Sequence, residues 1–377
     1  MHQETICVQS GTYHDAVTRG VNTPIFTSSS FEYLERDDIP YPRYFNTPNQ
    51  EAVVCKLCKL EAAEAGVLFS SGMAAMSTTI LAFAGAGDHV VMLDELYGGT
   101  HAFATDMFDR LGIRYSFAAT SADAVAQAVT QATKVIVVES PTNPLLGIVD
   151  IKRVAQVGKE RGIVTVIDNT FATPVNQRPL CLGIDVVVHS GTKYLGGHSD
   201  LCCGVAVTSS ELAARIRNAA RHLGGSLNAI TCYLLERSLK TLAIRVERQT
   251  HNASRIAAYL AAHDAIRKVN YPGLPESNTH AIARTQMTGF GAMLSFELDD
   301  KRIVPASFLR GLRLIRPAVS LGGVETLICS PAATSHAKLS REERHRIGIA
   351  DALLRLSVGI ENVDDLLEDI SQALNGQ

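Results

Sequence analysis

The strongest fold signal in the chain is a pair of β-branched runs, Ile163-Val164-Thr165-Val166-Ile167-Asp168 and Asp185-Val186-Val187-Val188-His189-Ser190-Gly191-Thr192-Lys193. Each run has the composition of a buried strand and ends in polar residues. The carboxyl ends of parallel strands lie at one edge of a sheet. We therefore expect Asp168 and Lys193 to be delivered to the same edge.

Two hydroxyl-bearing residues, Ser190 and Thr192, lie close before that lysine in sequence. A single aspartate at a strand end is more often a helix cap or a turn residue. The combination favours another interpretation, because pyridoxal phosphate needs an amine for covalent attachment, a carboxylate for its pyridine nitrogen and donors for its phosphate. Asp168, Lys193, Ser190 and Thr192 together predict a site for this cofactor.

The surrounding sequence predicts an α/β fold with a mostly parallel sheet. Short β-branched runs alternate with segments whose apolar residues recur every three or four positions, the pattern of strands separated by helices. The predicted strands are 89–93, 134–139, 163–168, 185–189 and 204–207, and the predicted helices are 102–111, 122–132 and 151–161.

After residue 209 the alternation of short strands and helices gives way to long helical patterns. A long helical stretch, 228–263, is followed by the stop signal Tyr271-Pro272-Gly273 and by an alternating strand at 293–298. We predict an extended N-terminal arm at 1–50, a large cofactor domain at 51–235 and a smaller C-terminal α+β domain at 236–377. The arm is poor in helix signals and has little core of its own, so we expect it to lie on another subunit.

Composition narrows the function classes. The 377 residues include 35 Lys+Arg and 38 Asp+Glu, for a net charge of -3, and 46% are hydrophobic. This balance predicts a globular protein with a small-molecule ligand and argues against nucleic-acid or membrane partners. The segment 1–10 has neither a basic leader nor an apolar run, so we expect no secretory signal and a cytoplasmic location.

Other chemical motifs fail. Gly85-Ala86-Gly87 lacks a third glycine and precedes a strand, so it is not a dinucleotide fingerprint. His198-Ser199-Asp200 has no accompanying nucleophile elbow, which argues against a hydrolase. Cys55 and Cys58 form a C-x-x-C within a helical stretch, 51–64, without a second pair at zinc spacing. We interpret them as helix residues and predict no metal site.

A phosphate site is expected upstream, in Phe69-Ser70-Ser71-Gly72-Met73-Ala74-Ala75. Small residues at the start of a helix leave backbone N–H groups free for an anion, and Gly72 permits close approach. Ser-Ser-Gly is also ordinary helix-capping chemistry, so this segment adds to the prediction without carrying it.

Ser190-Gly191-Thr192-Lys193-Tyr194-Leu195-Gly196-Gly197-His198-Ser199-Asp200 resembles the lysine signature of the trans-sulfuration, or Cys/Met metabolism, family of pyridoxal-phosphate enzymes. The resemblance runs from about residue 5 to 368 and implies the aspartate-aminotransferase-like fold, fold type I. It also implies that Lys193 carries the cofactor and that Asp168 pairs with its pyridine nitrogen.

Further roles follow from the same resemblance. The phosphate would be bound by the Gly72 and Met73 amides with Ser190 and Thr192. Tyr97, in Leu96-Tyr97-Gly98-Gly99-Thr100, is similar to the family's ring-stacking tyrosine, which also lies near the reacting substrate. Asn143, in Glu-Ser-Pro-Thr-Asn-Pro at 139–144, would lie near the cofactor's phenolic oxygen.

Three more segments match family motifs. Tyr41 and Arg43 resemble a Tyr-x-Arg pair that reaches the phosphate of a neighbouring subunit, with Tyr41 also near the substrate, which implies a homotetramer built from two dimers. Ser320 and Arg355 lie in the two C-terminal motifs. Arg355 would clamp the substrate α-carboxylate, because its planar fork suits a planar acceptor.

The resemblance implies a lyase that breaks carbon-sulfur bonds in sulfur amino acids. Methionine gamma-lyases typically have cysteine where this chain has Gly99, and many gamma-lyases and gamma-synthases have an acid where it has Val319. We therefore expect a cystathionine lyase with a preference for β-cleavage. The alternatives are gamma-cleavage, a methionine gamma-lyase, a cystathionine gamma-synthase, and a catalytically silent binding protein of the same fold.

Overall fold

The structure is a computed structural model that describes residues 1–35, 37–335, 337 and 340–375. Its larger sheet contains seven strands. In chain order they are β1 (Ala65–Phe69), β2 (His89–Leu93), β3 (Arg114–Ala118), β4 (Thr133–Glu139), β5 (Val164–Asp168), β6 (Val186–Ser190) and β7 (Gly204–Thr208).

The spatial order of this sheet is β1-β7-β6-β5-β4-β2-β3. The five strands from β6 to β3 are parallel, and β7 is antiparallel to both of its neighbours. Glu139, Asp168 and Ser190 end the parallel strands β4, β5 and β6, so they reach one edge together. Gly204 begins β7 opposite Ser190, at the same edge.

Helices separate most of these strands and continue into the second half of the chain. In chain order they are α1 (Gln3–Gln9), α2 (Pro48–Glu61), α3 (Gly72–Phe83), α4 (Gly98–Leu111), α5 (Ala122–Ala128), α6 (Ile151–Arg161), α7 (Thr173–Asn176), α8 (Ser210–Leu223), α9 (Ala229–Leu239), α10 (Leu242–Ala261), α11 (His280–Gln286), α12 (Pro305–Gly311), α13 (Arg341–Arg346) and α14 (Val363–Leu374). Within the described residues, no helix combines the length and apolarity needed to cross a membrane.

A smaller sheet of five strands follows. Its strands are β8 (Ile266–Asn270), β9 (Met293–Leu298), β10 (Arg316–Pro317), β11 (Leu327–Cys329) and β12 (Leu353–Ser357), in the spatial order β10-β11-β12-β9-β8. All pairs are antiparallel except β10 with β11. One hydrophobic core includes buried side chains from both sheets, so the two sheets are packed as a continuous interior.

The fold prediction is confirmed: the chain is α/β with a mostly parallel central sheet and a second, smaller sheet. The five predicted strands of the large sheet are present within one residue at each end, and the predictions for α6 and β9 match at both ends. Strands β1 and β3 were not predicted. The larger sheet spans residues 65–208 and the smaller one 266–357, while the predicted domain boundaries at 50 and 235 stay a prediction.

Two helix predictions are corrected. The helix predicted at 122–132 ends at Ala128, because Thr133 Oγ1 accepts the Thr130 N–H at 2.8 Å and turns the chain into β4. The stretch 228–263 is two helices rather than one. The Thr241 hydroxyl donates to the Ser238 carbonyl at 3.1 Å, a local bond that competes with the helical ladder between α9 and α10.

The N-terminal segment is also less extended than the sequence suggests. Helix α1 packs against α2 and α10, and the Cys7 side chain of this helix is buried. The Lys56 ammonium donates to the Cys7 carbonyl at 2.7 Å. Between α1 and the first 3-10 turn, at Pro42–Tyr44, the described residues form neither helix nor strand. An arm without secondary structure is therefore found only after residue 10.

A buried carboxylate ties the last helix to the loop that leads into the smaller sheet. Asp369, on α14, is 5% exposed. Its two oxygens accept the N–H groups of Arg313, Leu314 and Ile315 at 2.8, 2.9 and 2.8 Å. A carboxylate can accept several donors at once, whereas alanine would leave these amides without that acceptor.

We expect Asp369→Ala to lower the free energy of unfolding by about 3 kcal/mol, because buried amides would lose a charged acceptor. Asp369→Asn, which keeps one acceptor oxygen, should cost less. Urea unfolding measures both. Glu368→Ala, an exposed neighbour on α14, is the control and should change stability by less than about 0.5 kcal/mol. A loss for Asp369→Ala no larger than that of the control would contradict this account.

Candidate active site

A cavity of about 540 Å³ opens at the carboxyl edge of the large sheet, where it meets residues from the smaller one. Its lining brings together most of the predicted site. The predicted residues that line it are Gly72, Met73, Tyr97, Asn143, Asp168, Ser190, Thr192, Lys193, Ser320 and Arg355. Val319 also faces this cavity.

Tyr41 and Arg43 do not join this set within one chain. They are not among the residues that line the cavity, and both side chains are exposed. An Arg43 guanidinium nitrogen donates to the Arg221 carbonyl at 2.8 Å, which holds the side chain on α8. The two residues therefore lie on the outer surface of the chain that contains them.

Helix α3 begins at the cavity wall. Ser71 is its N-cap, and the Ser71 hydroxyl accepts the Ala74 N–H at 3.0 Å. The amides of Gly72 and Met73, in the first turn, have no intrahelical acceptor and carry the positive end of the helix dipole. A Cβ at Gly72 would lie 2.7 Å from the Ser190 Cβ, so glycine lets the helix terminus and the end of β6 approach closely.

Thr192 and Ser190, close to the lysine, are held by different hydrogen bonds. The Thr192 hydroxyl donates to the Cys203 carbonyl at 3.2 Å and accepts the Cys203 N–H at 3.1 Å. The main chain of Ser190 is fixed by its N–H bond to Thr170 Oγ1 at 2.8 Å. To donate to an anion in the cavity, Thr192 would exchange its bond to Cys203, because a hydroxyl has a single proton to donate.

Lys193 projects into the cavity, where its ammonium donates to Ser320 Oγ at 2.9 Å. Burial, and then the positive charge of Arg355, lowers the pKa of Lys193. A lowered pKa favours the neutral amine, which is the nucleophilic and basic form. Ser320 has φ of +78°, a left-handed conformation that is uncommon for residues other than glycine and is frequent at functional sites.

Asp168 faces the same space from the end of β5. Its carboxylate accepts the Thr170 N–H at 3.0 Å. Burial raises the pKa of Asp168 against the lowering effect of the Thr170 bonds and of nearby His189 and Lys193. A cationic partner would stabilise this half-buried carboxylate as the anion.

A buried hydrogen-bond network lies next to Asp168 and Ser190. His189 Nε2 and Glu61 Oε1 are 2.6 Å apart, and both side chains are almost fully buried. The Asn169 amide donates to the same Glu61 oxygen at 3.0 Å, and Gln177 joins Asn169 at 2.9 Å. This network fixes the residues immediately beside Asp168 and Ser190 in sequence.

Arg355 comes from β12, an interior strand of the smaller sheet, and is 6% exposed. Its guanidinium donates to Asn143 Oδ1 at 2.9 Å and to the Ser320 carbonyl at 3.2 Å. The arginine is therefore held from both sheets while it lines the cavity. Such a buried and oriented fork is suited to a carboxylate ligand.

These features fit pyridoxal phosphate. The amine of Lys193 can attach the cofactor covalently, Asp168 can pair with a protonated ring nitrogen, and the first turn of α3 can bind a dianionic phosphate. The close approach of Gly72 to Ser190 leaves room for no side chain there, which suits backbone contact with an anion. Tyr97, 46% exposed, presents an aromatic ring to the same cavity.

Residues 4–375 match the model of a family described as Cys/Met metabolism PLP-dependent enzymes. The chain belongs to that family. The cofactor of this chain is accordingly pyridoxal 5'-phosphate. The members of the family are trans-sulfuration enzymes.

Relatives within this family include lyases of two specificities. The chain is 43% identical to a cystathionine gamma-lyase of Bacillus subtilis (strain 168), covering 99% of both chains. It is 44% identical to the cystathionine beta-lyase MetC of the same organism, covering 98% of this chain and 96% of the relative. It also resembles the structure of a cystathionine gamma-lyase from Lactobacillus plantarum complexed with L-serine, with a TM-score of 0.96 and 39% identity over 100% of this chain and 99% of that one.

Sequence reasoning missed two groups in this family member. Glu139 lies in the quoted Glu-Ser-Pro-Thr-Asn-Pro segment, yet only Asn143 was chosen from it. Glu139 lines the cavity, and Glu61 and His189 form the network beside it. Glu139 is the last residue of a predicted strand, and that position indicates a place at the same sheet edge as Asp168. No sequence spacing links Glu61 with His189, since 128 positions separate them.

The C-x-x-C pair of Cys55 and Cys58 does not line this cavity. On α2, Cys55 is exposed and Cys58 is buried, and burial raises the pKa of Cys58 to about 12. A thiol with so high a pKa is unreactive at neutral pH. In the described part of the chain, no three His, Cys, Asp or Glu side chains are grouped in a way that could hold a metal ion.

We expect Gly72→Ala to weaken cofactor binding by about tenfold or more, because the new Cβ would push the first turn of α3 away from Ser190. Titration of the apoenzyme with pyridoxal phosphate, followed by visible absorbance, measures the affinity. Gly85→Ala is the matched control, since a Cβ there would meet only the Asp88 carboxylate at 4.0 Å. Equal affinities for the two variants would exclude this close approach as a requirement for binding.

Proposed function

We propose that this family member is a carbon-sulfur lyase that cleaves cystathionine mainly by β-elimination, giving pyruvate, ammonia and homocysteine. Bound pyridoxal phosphate supplies an electron sink for charge that develops at the substrate α-carbon. The observation that carries the β-preference is the wall of the cavity next to Ser320. There the side chain is Val319, 66% exposed and apolar.

The substrate's distal ammonium group finds no carboxylate on that wall. Among the described residues that line the cavity, the acids are Glu139 and Asp168, and both lie at the sheet edge. Burying an unpaired ammonium costs several kcal/mol, on the order of the desolvation of a charge. The distal end of cystathionine would therefore stay solvated, and discrimination among sulfur amino acids should be loose.

Lys193 would serve twice in the reaction. Its amine is the point of cofactor attachment and, once released, the general base that takes the substrate α-proton. The lowered pKa of Lys193 supports the second role, because a neutral amine is needed to accept a proton. The Ser320 hydroxyl, 2.9 Å away, would orient the amine.

The remaining roles follow from position in the cavity. Arg355 would bind the α-carboxylate with its fork, already oriented by Asn143 and by the Ser320 carbonyl. The carboxylate of Asp168 would hold the ring nitrogen protonated. The phenol of Tyr97 would donate a proton to the departing sulfur, so that homocysteine leaves as the thiol.

Product analysis is the decisive test. Wild-type holoenzyme with cystathionine should release pyruvate and homocysteine as the main products, with slower β-elimination from cysteine. Release of 2-oxobutyrate and cysteine instead would make the enzyme a gamma-lyase. Turnover that requires an acylhomoserine would make it a gamma-synthase. Absence of any keto acid, with the visible cofactor band intact, would favour a silent binding protein.

Val319→Glu supplies the matching variant. We expect it to shift products toward 2-oxobutyrate or toward synthase chemistry, because an acid beside Ser320 would attract the substrate's distal ammonium group and move the substrate. Val319→Gln, similar in size but uncharged, should leave the product ratio close to that of wild type. If both variants keep the wild-type product ratio, Val319 does not set the choice.

We further propose that the active unit is a homodimer and that two dimers form a tetramer. Tyr41 and Arg43 lie outside the cavity of their own chain, which supports a role in the site of a neighbour. The segment around them exposes large apolar side chains that a partner could cover. These are Tyr13, Val17, Val21, Ile25, Tyr33 and Leu34.

Subunit mixing tests the shared site. Arg43→Ala and Lys193→Ala should each be nearly inactive alone, yet hybrids of the two should recover part of the activity, because one site of each hybrid dimer contains both intact residues. Hybrids of Asp168→Ala with Lys193→Ala are the control and should stay inactive, since both residues belong to the same chain's cavity. If subunit exchange is demonstrated and the first hybrids remain inactive, the shared site is wrong.

A further inference from the structure

The cavity contains a second buried acid to which the proposed reaction assigns no role. Glu139 ends β4 directly beside Asp168, its register partner on β5. It is 5% exposed and lines the cavity. A buried carboxyl group is costly unless it is hydrogen-bonded, so its partners indicate what it does.

The hydrogen-bond partner of the Glu139 carboxyl group is the main chain of Tyr97. Glu139 Oε2 accepts the Tyr97 N–H at 2.8 Å. Tyr97 is the residue immediately before α4, so this bond fixes the point from which the aromatic ring extends into the cavity. The loop that leaves β4 at Glu139 carries Asn143 four positions later.

Asn143 continues the chain of contacts toward the smaller sheet. Its side-chain oxygen accepts a hydrogen bond from the Arg355 guanidinium at 2.9 Å. The Glu139 carboxyl group therefore ties the Tyr97 backbone to the strand end from which the Asn143 loop departs, and Asn143 contacts the Arg355 guanidinium.

We propose that Glu139 is a positioning residue that sets the placement of the Tyr97 ring relative to the Arg355 guanidinium through its hydrogen bond to the Tyr97 backbone. This inference rests on the proposed function, in which Tyr97 faces the cofactor ring and Arg355 binds the α-carboxylate. This bond joins the loop after β2, which carries Tyr97, to the end of β4, and Asn143 in the loop after β4 contacts Arg355.

The charge state of Glu139 suits this role. Burial, and then the negative charge of Asp168, raises the pKa of Glu139. Suppressing the charge on Glu139 keeps Asp168 as the main anionic group facing the ring nitrogen. Glutamine is neutral, has the same shape and keeps a carbonyl oxygen for the Tyr97 N–H, so we expect Glu139→Gln to be tolerated better than Glu139→Ala.

The test uses the purified holoenzyme and two readouts that do not depend on turnover. Circular dichroism of the visible cofactor band reports how the ring is held. The ratio of the dissociation constants of ethylamine and L-alanine, measured from changes in that band, reports how well the α-carboxylate is bound. Thermal unfolding gives the stability of each variant.

We expect Glu139→Ala to lose much of the visible dichroism and to reduce the preference for L-alanine over ethylamine by about tenfold, the effect of losing roughly one net hydrogen bond. Glu139→Gln should retain most of both signals. Glu95→Ala is the matched control. Glu95 is a neighbouring acid whose pKa burial also raises, but its bond at 2.9 Å is to the Thr142 hydroxyl.

Glu95→Ala should lower the unfolding temperature without changing the dichroism or the ligand preference. Wild-type dichroism and preference in Glu139→Ala, or equal changes in Glu95→Ala and Glu139→Ala, would overturn the proposal. The outcome is separate from the identity of the substrate: a wild-type enzyme that fails to cleave cystathionine still reports the position of its cofactor and the binding of L-alanine.

Discussion

The close approach of helix α3 to the ends of β6 and β7 is the constraint on which the site depends. Three backbone segments meet there, and side chains larger than hydrogen are excluded at Gly72 on one side and at Gly204 on another. The approach directs the first amides of α3 toward the same space as the Ser190 and Lys193 side chains. A helix terminus that can bind an anion and a lysine that can form a covalent bond are thereby brought within one cavity.

The second requirement is that two sheets meet at this cavity. The large sheet delivers Asp168 and Lys193, while the smaller one delivers Arg355 from an interior strand. The contact of Arg355 with Asn143, which follows β4 of the large sheet, joins the sheets through buried polar groups. Because such groups are costly when unpaired, their pairing specifies how the two sheets sit together. The same contact orients the Arg355 guanidinium toward the cavity, so the bond that joins the sheets also sets how this side chain faces it.

Strain and burial are concentrated around the lysine. Ser320 adopts a left-handed backbone conformation while its hydroxyl accepts the Lys193 ammonium and its carbonyl accepts Arg355. Behind the sheet edge, the buried Glu61–His189 contact holds the residue that precedes Ser190. Hydrogen bonds and packing of this kind can support the unfavourable backbone conformation of Ser320, because they leave that residue few other conformations.

Sequence alone was enough to predict the α/β class and the meeting of Asp168 and Lys193 in one cavity, because β-branched runs and polar strand ends are local patterns that parallel pairing converts into neighbours. Local patterns were weaker for β1 and β3, for α1, and for the break between α9 and α10, where packing and side-chain bonds to the backbone override propensity. The bond of Glu139 to the Tyr97 backbone and the pairing of Glu61 with His189 depended on tertiary structure. These contacts join segments far apart in the chain, and a hydrogen bond between distant segments leaves no periodicity or spacing in the sequence.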